Sequence, residues 1–233
     1  MDPLSLTVRD FSFQHPLFQP MAERLLESEM EWELPLEKLC RSRGISPEFI
    51  QKLALSASDP LENPISLLMR FPLKEIISYL RLSHRFYLRK KLPELELSVQ
   101  ALSKAYCDDY LLLKTLYPLF LIYRSDLEQH ILGEELHLFP FIENLEAGVW
   151  ENIRGLRLET IAGTHDEPSE PMKLFKKWMS SDHAVNVLPL PYRIFLLQMK
   201  QFDEDLELHH RLEEEVMMPL ATLLQEEAAE RLP

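Results

Sequence analysis

Glycine is scarce in this chain, 5 of 233 residues. That leaves little material for loops whose backbone cradles phosphate. Neither G-x-G-x-x-G nor G-x-x-x-x-G-K-[ST] occurs, so the common nucleotide-binding folds are not expected. Cysteine is scarcer still: Cys40 and Cys107 lie far apart and form no C-x-x-C pair. The count excludes a disulfide scaffold and a zinc ribbon, and a reducing cytoplasm is the simplest setting. Positive charge is in deficit, with 25 Lys+Arg against 38 Asp+Glu and a formal charge of −13. Nucleic acid and anionic membrane surfaces both require a basic face, so neither is expected as a partner. Long apolar runs are missing too. The longest, Leu111 to Tyr123, is interrupted by Lys114 and falls short of the roughly 20 residues of a spanning helix. The first residues, Met1 to Ser5, lack the basic segment and apolar run of a secretory signal.

Hydrophobic residues make up 46% of the chain, enough for a substantial core. Leu, Glu and Lys dominate and strand-like alternation of Val, Ile and Thr is absent, so the expected class is all-α. Prolines mark breaks near 56–64, at Pro140, at Pro168 and Pro171, and at Pro189 and Pro191. Between them lie four helical patterns, over about 71–107, 113–139, 149–180 and 192–226. The expectation is a four-helix up-and-down bundle over 63–233, preceded by a small helical domain over 1–62. Within that small domain Leu36, Leu39 and Cys40 begin an apolar pattern that Gly44 breaks. Ser46 then reads as an N-cap with Pro47 at the first helical position. The simplest role for the domain is packing.

The chemistry lies on two helical seams. Leu116, Phe120, Tyr123, Leu127, His130, Glu134, Leu138 and Phe141 follow one another by three or four residues, the spacing of a bundle core. Near the C-terminus Phe195, Met199, Phe202, Leu206, His209, Glu213, Val216 and Leu220 do the same. Each seam thus carries an inward His-x-x-x-Glu pair. A lone inward histidine is usually an ordinary core residue, but glutamate is almost never buried unless it is paired or bound to metal. Residues i and i+4 are neighbours on one helix face, so an imidazole nitrogen and a carboxylate oxygen can reach one ion or two adjacent ions. Two such pairs on different helices call for a cation, and nitrogen and oxygen donors suit iron, manganese or zinc. Two further histidines fall on inner faces: His84 on the seam Leu73, Ile77, Leu80, His84, Tyr87, Lys91, Leu95, and His165 between Ile161 and Met172. His15, His137, His183 and His210 lie off these faces, and Glu214, Glu215, Glu226 and Glu227 read as solvated.

These segments resemble the motifs of hemerythrin-like di-iron proteins. His130 to Pro140 is similar to their H-x-x-x-E-E-x-x-L-F-P motif, and His209 to Pro219 to their final H-x-x-x-E-x-x-x-L-F-P, with Met217-Met218 in place of Leu-Phe. His165-Asp166-Glu167 matches the start of the third bundle helix, and Leu92 to Leu95 an L-P-E-L landmark late in the first. The closest subgroup is the iron–sulfur-cluster repair family of the YtfE/ScdA type, whose short N-terminal helical domain Leu36 to Leu53 resembles. The resemblance implies non-haem di-iron bridged by Glu134 and Glu213, with imidazoles from His130, His165 and His209.

The departures are specific. The subgroup's N-terminal Cys-Cys pair is replaced here by Glu29-Met30-Glu31-Trp32-Glu33, so thiol chemistry is not carried over. Counted back from Leu92-Pro93, the first-helix ligand position falls on Arg85, one residue after His84, and the next expected histidine falls near Tyr106 or Cys107. A one-residue offset turns a side chain by about 100°, which a helix absorbs only by unwinding or a π-bulge. His84 is the residue on the seam and is the expected substitute. An altered di-iron site, a mononuclear site and a bundle without metal all stay open.

The leading expectation is therefore a non-haem iron protein that handles O2, NO or iron in oxidative or nitrosative stress defence, or that serves iron–sulfur centre repair. It would take a metal ion and a diatomic ligand as partners, and is compatible with a homodimer. The alternative is a degenerate, metal-free bundle with a regulatory or partner-binding role, in which Arg85 pairs with a leftover carboxylate. A zinc hydrolase is disfavoured, because no general base stands apart from the two glutamates.

Overall fold

The computed structural model describes residues 3–106, 111–149, 156–162, 173 and 189–231. The described residues are all-α. Their helices are α1 (Val8–Gln14), α2 (Gln19–Leu25), α3 (Leu36–Ser42), α4 (Pro47–Ser58), α5 (Leu73–Phe86), α6 (Leu92–Tyr106), α7 (Leu111–Gly133), α8 (Phe139–Ala147), α9 (Leu158–Ala162), α10 (Leu190–Leu212) and α11 (Met218–Arg231). None is long and apolar enough to cross a membrane.

Two compact units share the chain. The first is built from Met1–Arg85, Phe139–Leu158 and Glu207–Pro233, the second from Phe86–Leu138 and Glu159–Leu206. In the first unit the short N-terminal helices are held by local caps. Thr7 accepts from the Asp10 N–H at the start of α1, and Ser46 accepts from the Phe49 N–H at the start of α4, with Pro47 at the first helical position. The chain leaves α3 through Gly44 at φ +71°, a left-handed conformation that glycine adopts without strain. Leu36, Leu39 and Cys40 of α3 and Phe49, Ile50, Leu53 and Ala54 of α4 are fully buried. Arg43 ties the segment together: it donates to the Leu25 carbonyl and to both carboxylate oxygens of Glu31.

The second unit closes around one apolar cluster. Leu92, Leu95, Val99 and Leu102 of α6, Leu116, Phe120, Tyr123, Leu127 and Ile131 of α7, and Tyr192, Phe195, Met199 and Phe202 of α10 form it. Leu95, Leu116, Phe120, Tyr123, Leu127, Phe195, Met199 and Phe202 are seam residues expected from the 3-4 spacing, whereas Leu92, Val99, Leu102, Ile131 and Tyr192 join the cluster without having been placed on a seam. Helices α6 and α7 run antiparallel, as the pairs Gln100–Tyr117 and Glu96–Arg124 require.

Among the described residues three π turns interrupt the helices: Tyr87–Lys91, Glu134–Leu138 and Glu213–Met217. Each ends two residues before a proline: Pro93, Pro140 and Pro219. In an α-helix the pyrrolidine ring collides with the carbonyl four residues back; widening the preceding turn relieves the collision and keeps the chain helical. The i→i+5 bonds are explicit. The Leu92 N–H donates to the Tyr87 carbonyl, and the Met218 N–H to the Glu213 carbonyl. Pro140 is therefore not the helix end expected from the sequence; helix resumes at Phe139 and continues to Ala147. The buried seam of the first long helix also steps five residues, from Tyr87 to Leu92, so the expected core position Lys91 is only half-buried.

The same π turn accounts for the His84 offset. One extra residue between the seam and the Leu92-Pro93 landmark rotates everything before it by about 100°. His84 is accordingly 1% exposed, while Arg85 faces solvent.

Candidate metal centre

Three buried donors converge in the first unit. His84 comes from α5, His209 from the last turn of α10, and Glu213 from the start of the π turn that follows. One donor atom of each lies within 4.8 Å of the others. His84 Nε2 is 3.2 Å from His209 Nε2, and His209 Nε2 is 2.9 Å from Glu213 Oε1. The His209 and Glu213 side chains are 6% and 5% exposed. The neighbouring acids Glu214 and Glu215 face water, as the phase of the seam requires.

His84 is held by what surrounds it. Its ring stacks on Phe139, with 5° between planes and 5.4 Å between centroids. The Arg81 guanidinium, one turn earlier on α5, lies 5.6 Å from the centre of the Phe139 ring and donates to the Glu143 carboxylate at 3.0 Å. The stack restricts rotation of the imidazole about its long axis, and the ion pair fixes α8 beside α5.

The donor set fits a first-row divalent ion. With bonds of about 2.1 Å, two ligands of one ion stand about 3.0 Å apart at right angles and about 3.4 Å apart in a tetrahedron. Both donor separations, 3.2 and 2.9 Å, match such edges. A single ring hydrogen on His209 Nε2 serves one of its two neighbours well, whereas a cation serves all three donors at once. Two imidazoles and a carboxylate, without thiolate, suit iron, manganese or zinc.

The second unit carries the other pair. His130 Nε2 is 2.9 Å from Glu134 Oε1, with side chains 33% and 3% exposed. Glu134 opens a π turn as Glu213 does, so the two His-x-x-x-Glu segments share one local geometry. His137 is exposed, as expected, and His210 faces solvent beside the buried His209. His165 lies outside the described residues. Cys40 is buried, and desolvation pushes its thiol up to about 12, so it offers no reactive thiolate. Phe139, Arg81 and the π turns at Glu134 and Glu213 were not read as parts of the site from the sequence, which called for unwinding or a π-bulge only at the His84 offset. Their one visible signal is the aromatic or apolar residue before each proline.

No family model matches the sequence, and no solved structure matches it. Curated relatives do. The iron–sulfur cluster repair protein YtfE of Escherichia coli O157:H7 is 26% identical over 192 residues, which cover 80% of this chain and 82% of the relative. The chain is similar to an iron–sulfur cluster repair protein. YtfE of Escherichia coli O8 strain IAI1 gives the same identity and coverage. YtfE of Escherichia coli O1:K1 is 26% identical over 175 residues, 73% of this chain and 74% of the relative.

Proposed function

We propose that this chain is a hemerythrin-like protein that binds non-haem iron through His84, His209 and Glu213 and serves stress defence at iron–sulfur centres. The observation that carries the reading is the buried His84–His209–Glu213 group, whose donor atoms stand 3.2 and 2.9 Å apart. The similarity to YtfE supports the choice of iron and of repair. His130 and Glu134 are proposed as ligands on their matching motif and their own 2.9 Å contact, and His165 on the family motif alone. The proposed architecture is the up-and-down bundle over 63–233 with a helical domain over 1–62, working in the cytoplasm as a monomer or homodimer.

Bound iron would supply redox chemistry and an exchangeable position for O2 or NO. The chain's own residues supply the rest. His84 and His209 present neutral imidazole lone pairs, Glu213 supplies the negative charge that balances the cation, and Phe139 walls one side with an apolar ring. That wall lowers the local dielectric and strengthens the attraction between carboxylate and ion. Arg85, whose charge would favour a metal-free bundle, faces solvent and does not occupy the ligand position.

The test is metal analysis by mass spectrometry, with an optical spectrum, on protein prepared anaerobically. Iron bound stoichiometrically, one or two ions per chain, supports the reading. Protein that carries no iron and takes none up from Fe(II) solution overturns it in favour of the metal-free regulatory alternative.

A further inference from the structure

Helix α5 has a second organised face. Glu75, Tyr79 and Ser83 follow one another at i, i+4 and i+8, and each receives a hydrogen bond from the N-terminal segment. The Ser46 N–H donates to the Glu75 carboxylate at the start of α4. Arg24 of α2, only 7% exposed, donates from one guanidinium nitrogen to the Tyr79 hydroxyl at 2.7 Å and to the Ser83 hydroxyl at 2.8 Å. Its guanidinium also lies 5.4 Å from the centre of the Tyr79 ring. Ser83 in turn donates to the Tyr79 carbonyl at 3.2 Å. These contacts span 55 and 59 residues of sequence, so they are tertiary and not helix-local.

Ser83 immediately precedes His84. On one helix the directions of adjacent side chains are separated by about 100°, so a contact that fixes the direction of Ser83 fixes that of His84. We propose that Arg24 is a positioning residue for the metal ligand His84, and that the N-terminal helices act as a clamp setting the rotation of α5. This rests on the metal-centre reading above. It gives the N-terminal segment a role in the site that packing alone does not, without the cysteine pair its relatives' subgroup carries. Arginine suits this position because one of its nitrogens carries two hydrogens for two hydroxyls while the rest of the guanidinium stays within cation–π range of the Tyr79 ring.

The experiment uses full-length metal-free protein, Co(II) as probe, and the variants Arg24→Met, Arg24→Lys, Ser83→Ala and His209→Ala. Co(II) ligand-field absorption reports both affinity and geometry, and circular dichroism reports folding. Wild type should bind Co(II), and His209→Ala should lose it. Ser83→Ala and Arg24→Met should keep wild-type helicity, bind Co(II) about tenfold more weakly and show shifted ligand-field bands, with Arg24→Lys intermediate. Folded Ser83→Ala and Arg24→Met with wild-type affinity and bands overturn the clamp while leaving the metal centre standing. If Arg24→Met does not fold, Ser83→Ala, which removes one hydroxyl, decides. Absence of Co(II) bands in wild type overturns the metal-centre reading and the clamp with it.

Discussion

The His84 imidazole lies parallel to the Phe139 ring, with 5° between planes and 5.4 Å between centroids. Phe139 is fully buried and immediately follows the Glu134–Leu138 π turn, so the widened turn delivers the ring that walls the candidate centre. Truncation to Ala would cost about 3–5 kcal/mol and confound any binding measurement. Phe139→Leu keeps most of the volume and should cost less than about 1.5 kcal/mol. It removes the flat surface that holds the imidazole, and Co(II) affinity should fall about tenfold. Thermal denaturation of the metal-free variant together with Co(II) titration checks both halves; wild-type affinity in Phe139→Leu would mean that the stack does not orient the ligand.

The two His-x-x-x-Glu pairs make separable predictions. His84→Ala, His209→Ala and Glu213→Ala each delete a donor from the group in the first unit, and each should reduce bound iron to a small fraction of wild type. Glu134→Ala should do the same, because the reading makes it a ligand as well. Iron content of the purified variants is the measurement. Unchanged stoichiometry in Glu134→Ala and Glu213→Ala together would refute the carboxylate assignment.

Much of this arrangement was legible in the sequence, for reasons that differ between residues. The seams through Phe120, Tyr123 and Leu127, and through Phe195, Met199 and Phe202, were readable because regular 3-4 spacing projects directly onto a helix face. Glu213 was separable from Glu214 and Glu215 by the same phase. The π turns were legible only at the His84 offset, which called for unwinding or a π-bulge; elsewhere spacing arguments assume one rotation per residue, and a single extra residue shifts every later position. That is why Lys91 stood where Leu92 is buried, and why His84 looked one residue out of place against Arg85. The prolines at 93, 140 and 219 held the missing information, but a proline signals a break as readily as a bulge. Arg24 carried no signal, since nothing local distinguishes an arginine that reaches residues more than 50 positions away from one in water.

Glu75 predicts a pH effect on stability. Burial, opposed by the Ser46 N–H and reinforced by Glu48, raises its carboxyl above the usual 4.5. A carboxyl whose folded value is raised costs nothing when protonated and progressively more as pH rises through that value. Glu75→Gln retains a carbonyl to accept the Ser46 N–H and removes the half-buried charge. The variant should match wild type near pH 4 and melt higher than it at pH 8. Paired melting curves at the two pH values test this, and a variant that loses stability on going from pH 4 to pH 8 relative to wild type contradicts it.

Pro219 links the helix backbone to the ligand geometry. It follows the π turn that begins at Glu213, and its ring would collide with the Glu215 carbonyl if that turn were α-helical. Pro219→Ala restores an N–H that can donate to Glu215 and removes the collision, so the narrower α turn becomes accessible. Closing the turn would rotate Glu213 and His209 by about 100° relative to α11 and take them off the buried face. The metal-free variant should also melt lower than wild type, because the rotation that moves Glu213 and His209 carries the buried Leu212 off its packing face as well, and its Co(II) affinity should fall about tenfold or more. Melting and titration on the same preparation separate the two effects. A variant with wild-type affinity would show that packing around Glu213, and not the proline, maintains the π turn.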